Sequence, residues 1–268
     1  MWRKLRILIL LFILATVAQE ALMKNGAPDW EKTLYVNLYP INADGSNASA
    51  KAIRNLASGQ QEEMESYFSE EATRLGLPLR KPFAIRLGSE VKALPPEPSF
   101  GALNTLFWSL KFRCWAFQHS PETKVPANIR LFVLYHDPAT HPVLKHSTAL
   151  SKGRVGMVNV FADSAYIKQN DVIIAHELLH TVDATDKYNL EDNQPIYPVG
   201  YAEPDKKPLY PQQVAELMAG RRPISEAQAE IPESLAQTLI GDLTAREIGW
   251  FKAPRQSLRK FPQLKPVD

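Results

Sequence analysis

His176 and His180, with Glu177 directly after the first, are where this sequence concentrates chemistry. Only six histidines are spread over 268 residues, so two of them four positions apart beside a glutamate stand out. On an α-helix, residues four apart share a face, one turn along. Two imidazoles placed in that way reach one metal ion, and the Glu177 carboxylate reaches a water beside it. A zinc ion brings the pKa of such a water down to about 7 and polarises a carbonyl, while the glutamate takes up the proton. The apolar run Val172-Ile-Ile-Ala175 leads into the motif, and Leu178 and Leu179 lie within it. This pattern predicts a core-facing helix over 171–182. The plainer reading is a helix whose two histidines make ordinary hydrogen bonds.

A catalytic zinc usually takes three protein ligands. Asp183 and Asp186 follow in Thr181-Val-Asp-Ala-Thr-Asp186, and Glu216 and Glu233 lie farther along. Over 176–186 the chain resembles the metzincin metallopeptidases, whose pattern is H-E-x-x-H-x-x-G-x-x-H/D. The aspartate in last place is similar to the snapalysins. The resemblance implies that Asp186 is the third ligand. Asp183 stands where the pattern has glycine, at a sharp turn toward the metal. Aspartate enters left-handed conformations more readily than most residues, which is compatible with such a turn. Asp183 is also a ligand candidate itself. So is Glu216, because in gluzincins a downstream glutamate completes the site. The resemblance further implies a methionine turn beneath the metal, with Met218 as its candidate. Tyr188, Tyr201 and Tyr210 follow the motif, and a phenol there could hydrogen-bond the oxyanion of a tetrahedral intermediate. Tyr188 is the foremost of these; packing at loop bases is the alternative. His136, His141 and His146 share a polar loop and read either as a second metal set or as solvated histidines.

The elements that must hold these residues can be traced by periodicity. Strands are predicted over 33–39, stopped by Pro40, and over 82–87, 129–135 and 153–162. A long helix is expected over 48–75, with Gly59 as its weak point. A second, rich in Trp and Phe and expected to be well buried, spans 100–117, and a last one runs from Pro232 to Trp250. The strand over 155–161 precedes the motif helix. By the zincin resemblance it edges the cleft and pairs with an extended substrate; otherwise it is an ordinary internal strand.

Charge and composition exclude some functions. With 31 basic and 29 acidic side chains, the net charge of +2 leaves no electrostatic footprint for nucleic acid. Apolar content of 45% is enough for a real core. The single cysteine, Cys114, excludes an intrachain disulfide and reads as a small buried hydrophobe; a thiol that caps the metal is the alternative. At the N-terminus, Trp2-Arg-Lys-Leu-Arg6 is basic and 7–18 is almost wholly apolar. That is the layout of an export signal with Ala18 at the cleavage site, or of an uncleaved anchor reaching Met23.

These readings combine into an α+β, zincin-like expectation. A twisted mixed β-sheet is backed by helices, the last of which carries the motif, and a mainly helical or irregular C-terminal part closes a cleft. Residues 1–18 form the signal or anchor, 19–32 a linker, and 33–268 the catalytic domain, with an upper lobe over about 33–182 and a lower one over about 183–268. The expected activity is peptide-bond hydrolysis with one Zn2+, on a peptide or protein substrate. The expected location is outside the cytoplasm, periplasmic or secreted, with a membrane contact only through an uncleaved N-terminus. Two other readings stand beside it: an exported binding or scaffold protein with a structural or absent metal, and a non-peptidase zinc hydrolase.

Overall fold

The computed structural model describes residues 28–56, 59–99, 101–121, 123 and 125–250, together with positions 2, 6 and 7. Most of the expected export signal or anchor, and most of the expected linker, lies outside the described residues. Among the described residues, no helix is long and apolar enough to cross a membrane.

The chain is a mixed α/β protein built on five strands: β1 (Leu34–Asn42), β2 (Phe83–Leu87), β3 (Ile129–His136), β4 (Thr148–Leu150) and β5 (Val155–Phe161). Their order across the sheet is β2-β1-β3-β5-β4. The first four are parallel, and β4 runs antiparallel along β5, pairing Thr148 with Met157 and Leu150 with Val155. Strands β1, β3 and β5 are covered on both sides, and for that reason read as near-continuous apolar runs.

Helices α1 (Asn47–Arg54), α2 (Gln60–Arg74), α3 (Ala102–His119) and α4 (Ile167–His180) cover the sheet. Side-chain alternation divides the core in two. Val36, Leu38, Leu131, Val133, Val158 and Val160 share one face with α2 and α4. Tyr39, Ile41, Phe132, Leu134, Val155 and Met157 share the other with Trp108, Phe112 and Ala116 of α3. The motif helix and α3 therefore lie on opposite sides of the sheet. An aromatic cluster of Trp30, Phe68, Phe83 and Trp250 joins the first and last described segments.

Several sequence expectations are corrected. Strand β1 runs through Pro40 rather than ending there. The carbonyls of Leu38 and Pro40 accept from Gly88 and Val91 on the β2 side, so the missing N–H of Pro40 faces that side beyond the end of β2. It costs no bond to β3. The single helix expected over 48–75 is two helices, with Gly59 at the start of the second. Strand β5 is internal; the edge strand beside it is β4, too short to be read from sequence. Helix α3 is buried on one side only, and Cys114 is exposed rather than buried. Its place across the sheet from α4 also counts against a thiol that caps the metal.

The C-terminal part is irregular rather than mainly helical. Two short strand pairs, β6 (Ala215–Glu216) with β9 (Thr238–Leu239) and β7 (Arg222–Pro223) with β8 (Ala229–Glu230), precede the short helix α5 (Asp242–Glu247). The helix expected from Pro232 to Trp250 shrinks to α5 for a tertiary reason. The Ile240 N–H donates to Glu71 Oε2 at 2.6 Å, Arg74 donates to the Ile240 carbonyl, and the Gly241 N–H donates to Glu216 Oε1 at 3.1 Å. These bonds hold 238–241 extended against α2 and β6.

Candidate metal centre

Helix α4 is fixed to the sheet at its start. The Asn170 amide brackets Phe161 at the end of β5, accepting from its N–H at 3.2 Å and donating to its carbonyl at 2.9 Å. Val172, Ile174, Ala175, Leu178 and Leu179 are buried against the sheet, so the face carrying His176 and His180 turns the other way.

The helix ends in the turn that Asp183 makes possible. Asp183 has a φ of +78°, in the left-handed region that glycine adopts most readily. The chain doubles back: the Ala184 N–H donates to the Leu179 carbonyl at 3.1 Å, and the Ala184 carbonyl accepts from His180 Nδ1 at 2.8 Å. Three residues past the turn, Asp186 Oδ1 lies 3.2 Å from His176 Nε2 and 3.1 Å from His180 Nε2, with the two imidazole nitrogens 3.0 Å apart.

These three atoms form a set that calls for a cation. His176 Nδ1 donates to the Leu217 carbonyl at 2.9 Å, as His180 Nδ1 does to that of Ala184. A carbonyl only accepts, so each neutral ring carries its proton on Nδ1 and presents a bare lone pair at Nε2. Two such lone pairs and a carboxylate oxygen face one another. One remedy is a proton: burial opposes it, but the Asp186 and Glu177 carboxylates win, and the His180 pKa is pushed up to about 9. Asp186 is held well below the usual carboxylate range, its two imidazole partners outweighing burial. The other remedy is a metal ion. Atoms bound to a tetrahedral zinc at about 2.0–2.1 Å lie roughly 3.3 Å apart, close to the three separations found. The donor set therefore fits a metal ion. Among the described residues no other group of three ligand-type side chains brings its donor atoms together in this way. His136, His141 and His146 do not: His136 Nε2 donates to Asn159 Oδ1 at 2.8 Å, and His141 and His146 are exposed.

Glu177 is buried, and its Oε2 has no hydrogen-bond partner. Burial pushes its pKa up, and the fields of His176, His180 and His146 pull it part of the way back. A buried, orphaned carboxylate oxygen beside three converging donors is unusual for a purely structural helix. Tyr188 has its ring 6.4 Å from that of His176, and its phenol is pushed up to about 12 by burial and by the charges of Asp186 and Glu177. It therefore remains a donor at neutral pH. Tyr201 and Tyr210 instead turn their hydroxyls to each other at 3.0 Å.

Met218 is fully buried in the 3-10 turn Leu217–Ala219, directly after the Leu217 carbonyl that orients His176. Gly220, with φ +67°, closes that turn. Glu216 is engaged elsewhere and does not join the histidines. Its Oε1 accepts from the Gly241 N–H and from Thr244 Oγ1 at 2.7 Å, and its Oε2 from the Ala219 N–H at 2.9 Å. Glu233 is exposed and accounts for no part of the site.

Sequence reasoning missed the support of the Asp186 loop. The Lys187 side chain is 2% exposed and its Nζ lies 2.7 Å from Glu247 Oε2; the Thr185 N–H and hydroxyl also donate to Glu247. The Lys187 N–H donates to the Met218 carbonyl at 2.9 Å. Glu247 and Lys187 carry no motif, and only their meeting across about sixty residues reveals them. In comparisons with known proteins, no family model matches the chain and no curated protein matches it.

Proposed function

We propose that this chain is an exported, zinc-dependent metallopeptidase. The observation that carries the reading is the convergence of His176 Nε2, His180 Nε2 and Asp186 Oδ1 at 3.0–3.2 Å beside the buried, unpartnered Glu177 carboxylate. His176, His180 and Asp186 would hold one zinc ion. When bound, zinc supplies a polarised carbonyl and a water acidic near neutrality. Glu177 accepts the proton of the attacking water and passes it to the leaving amine. Tyr188, its ring 6.4 Å from that of His176, would supply a donor for an oxyanion. The mixed sheet, backed by helices of which α4 carries the motif, is in keeping with a zincin-like arrangement. The near-balanced net charge of +2 favours a peptide or protein substrate over nucleic acid.

Zinc content per chain tests the site. About one zinc per chain, lost in His180→Ala, is the expected result. Glu177→Gln should keep that zinc while peptide hydrolysis falls by about 10²–10⁴-fold, the usual share of a general base. A chain that holds zinc but cleaves no member of a peptide library, and unfolds when the metal is stripped, would instead be a binding or scaffold protein with a structural ion.

A further inference from the structure

Helix α3 is apolar on two opposite faces. One carries Trp108, Phe112 and Ala116 into the core. The other carries Leu103, Leu106, Phe107, Leu110, Cys114 and Phe117. With successive residues about 100° apart, these six fall within an arc of roughly 100°. Leu103 is 71% exposed, Leu106 52%, Phe107 58% and Phe117 81%. At 1.5 Å per residue, the stripe from Leu103 to Phe117 runs over about 21 Å. Scattered exposed leucines need no explanation, but a continuous stripe of leucine and phenylalanine along one helix does.

The charged side chains on the helix itself are of one sign. Helix α3 has no acidic residue, and on the helical wheel Lys111 and Arg113 flank the stripe on either side. Beside the C-terminal half, a groove of about 490 Å³ runs between α3 and the sheet, lined by Leu110, Cys114, Phe117, Arg113, Arg130 and Gly153 among others. Arg113 lies directly over Gly153, where a Cβ would meet its Cδ at 3.0 Å. Among the described residues, those lining this groove include two arginines and no carboxylate.

We infer that the outer face of α3 docks on an anionic phospholipid bilayer, with its apolar stripe at the acyl boundary and Lys111 and Arg130 at the headgroups. An apolar face bordered by cations is what an interfacial helix needs. Charge argues against a second copy: pairing two such faces would bring the Lys111 side chains together, with no carboxylate on either helix to offset them. Because α3 and α4 cover opposite sides of the sheet, a protein docked through α3 keeps His176 and His180 on the aqueous side. Substrates of the proposed site would then be soluble chains near the membrane rather than segments inside it. The docking itself does not depend on the metal.

Cys114, the chain's one cysteine, lies on this face and is exposed, so it can report on it. The full-length chain would be labelled at Cys114 with an environment-sensitive fluorophore and mixed with vesicles. On mixed phosphatidylglycerol and phosphatidylcholine vesicles the label should shift to the blue and its quenching by aqueous iodide should drop severalfold. Vesicles of phosphatidylcholine alone should protect it less. Phe107→Ser/Phe117→Ser and Lys111→Glu alter exposed side chains and should keep the wild-type circular dichroism while losing the protection. The inference fails if the label stays fully open to iodide on chains that co-sediment with vesicles, since binding would then run through another segment. It also fails if protection grows with protein concentration in the absence of lipid, which would assign the face to a second copy, or if only an acidic polypeptide protects the label.

Discussion

At the scale of single residues, Asp186 and Glu216 illustrate how two carboxylates of equal promise part ways. Asp186 faces two imidazole nitrogens, whereas Glu216 spends both oxygens on Ala219, Gly241 and Thr244. Asp186→Asn should therefore release zinc; in the metal-free chain it also breaks the pair with the protonated His180 and lowers stability near neutral pH. Glu216→Gln should hold zinc and lose about 1–3 kcal/mol of stability, because an amide nitrogen replaces an oxygen that accepts a buried N–H or O–H. Elemental analysis and denaturant unfolding of the two variants separate the roles; zinc loss in the second alone would reverse the assignment. Asp183 shows a residue acting through its backbone: its positive φ lets the chain turn, and its side chain is not among the converging donors.

Elements add effects that no single residue predicts. The loop carrying Asp186 is tied to α5 through Lys187 and Glu247. Removing the carboxylate strands a buried ammonium, so Glu247→Ala should cost about 3–5 kcal/mol, while Lys187→Met/Glu247→Leu should cost much less. Equal losses in the two proteins, measured by urea unfolding, would mean that the pair is not coupled. The turn after β1 makes a pH-dependent tie of another kind. The Asp44 side chain is 4% exposed; Oδ1 accepts from the Ser46 N–H at 2.9 Å and Oδ2 from the Asp137 N–H at 2.7 Å. Burial raises its pKa, but these donors, with the Ser46 and Ser49 side chains, outweigh burial and hold the carboxyl well below its ordinary range. A carboxyl lower in the folded than in the unfolded chain stabilises above the unfolded value, about pH 4, and that contribution fades as the pH falls further. Asp44→Asn should thus lose stability at pH 7 and show a flatter acid limb below about pH 4 than the parent. An unchanged acid limb would remove Asp44 from the account.

For the molecule as a whole, the division into an upper and a lower lobe is less sharp than the chain order suggests. Leu217, Met218, Leu235, Ile240, Ala245, Ile248 and Trp250 belong to the same apolar cluster as Val36, Leu131, Val158 and Phe68. One shared core predicts one cooperative unfolding transition, followed in parallel by near- and far-ultraviolet circular dichroism. Two separated transitions would show the lobes to be independent. Phe68→Ala, at the centre of the aromatic cluster, should cost about 3–5 kcal/mol and lower that single transition without splitting it.

The sequence by itself determined what depends on short-range geometry. The spacing of His176, Glu177 and His180 needs only a helix to become a pair of donors with an adjacent carboxylate, and the apolar runs of β1, β3 and β5 needed only to be recognised as strands. Even the left-handed turn at Asp183 was legible, because conformational preference is local. Long-range partners decided the rest. Glu216 was a credible ligand until Gly241 and Thr244 claimed it; the expected C-terminal helix dissolved because Glu71, Arg74 and Glu216 hold its middle extended; and β4 is too short to carry a period of its own. The double-sided apolar pattern of α3 reads as full burial in sequence, since periodicity shows which faces are apolar and not which are covered. Tertiary structure chose between those outcomes because a hydrogen-bond acceptor or an apolar face is used only once, by whichever neighbour the fold brings to it.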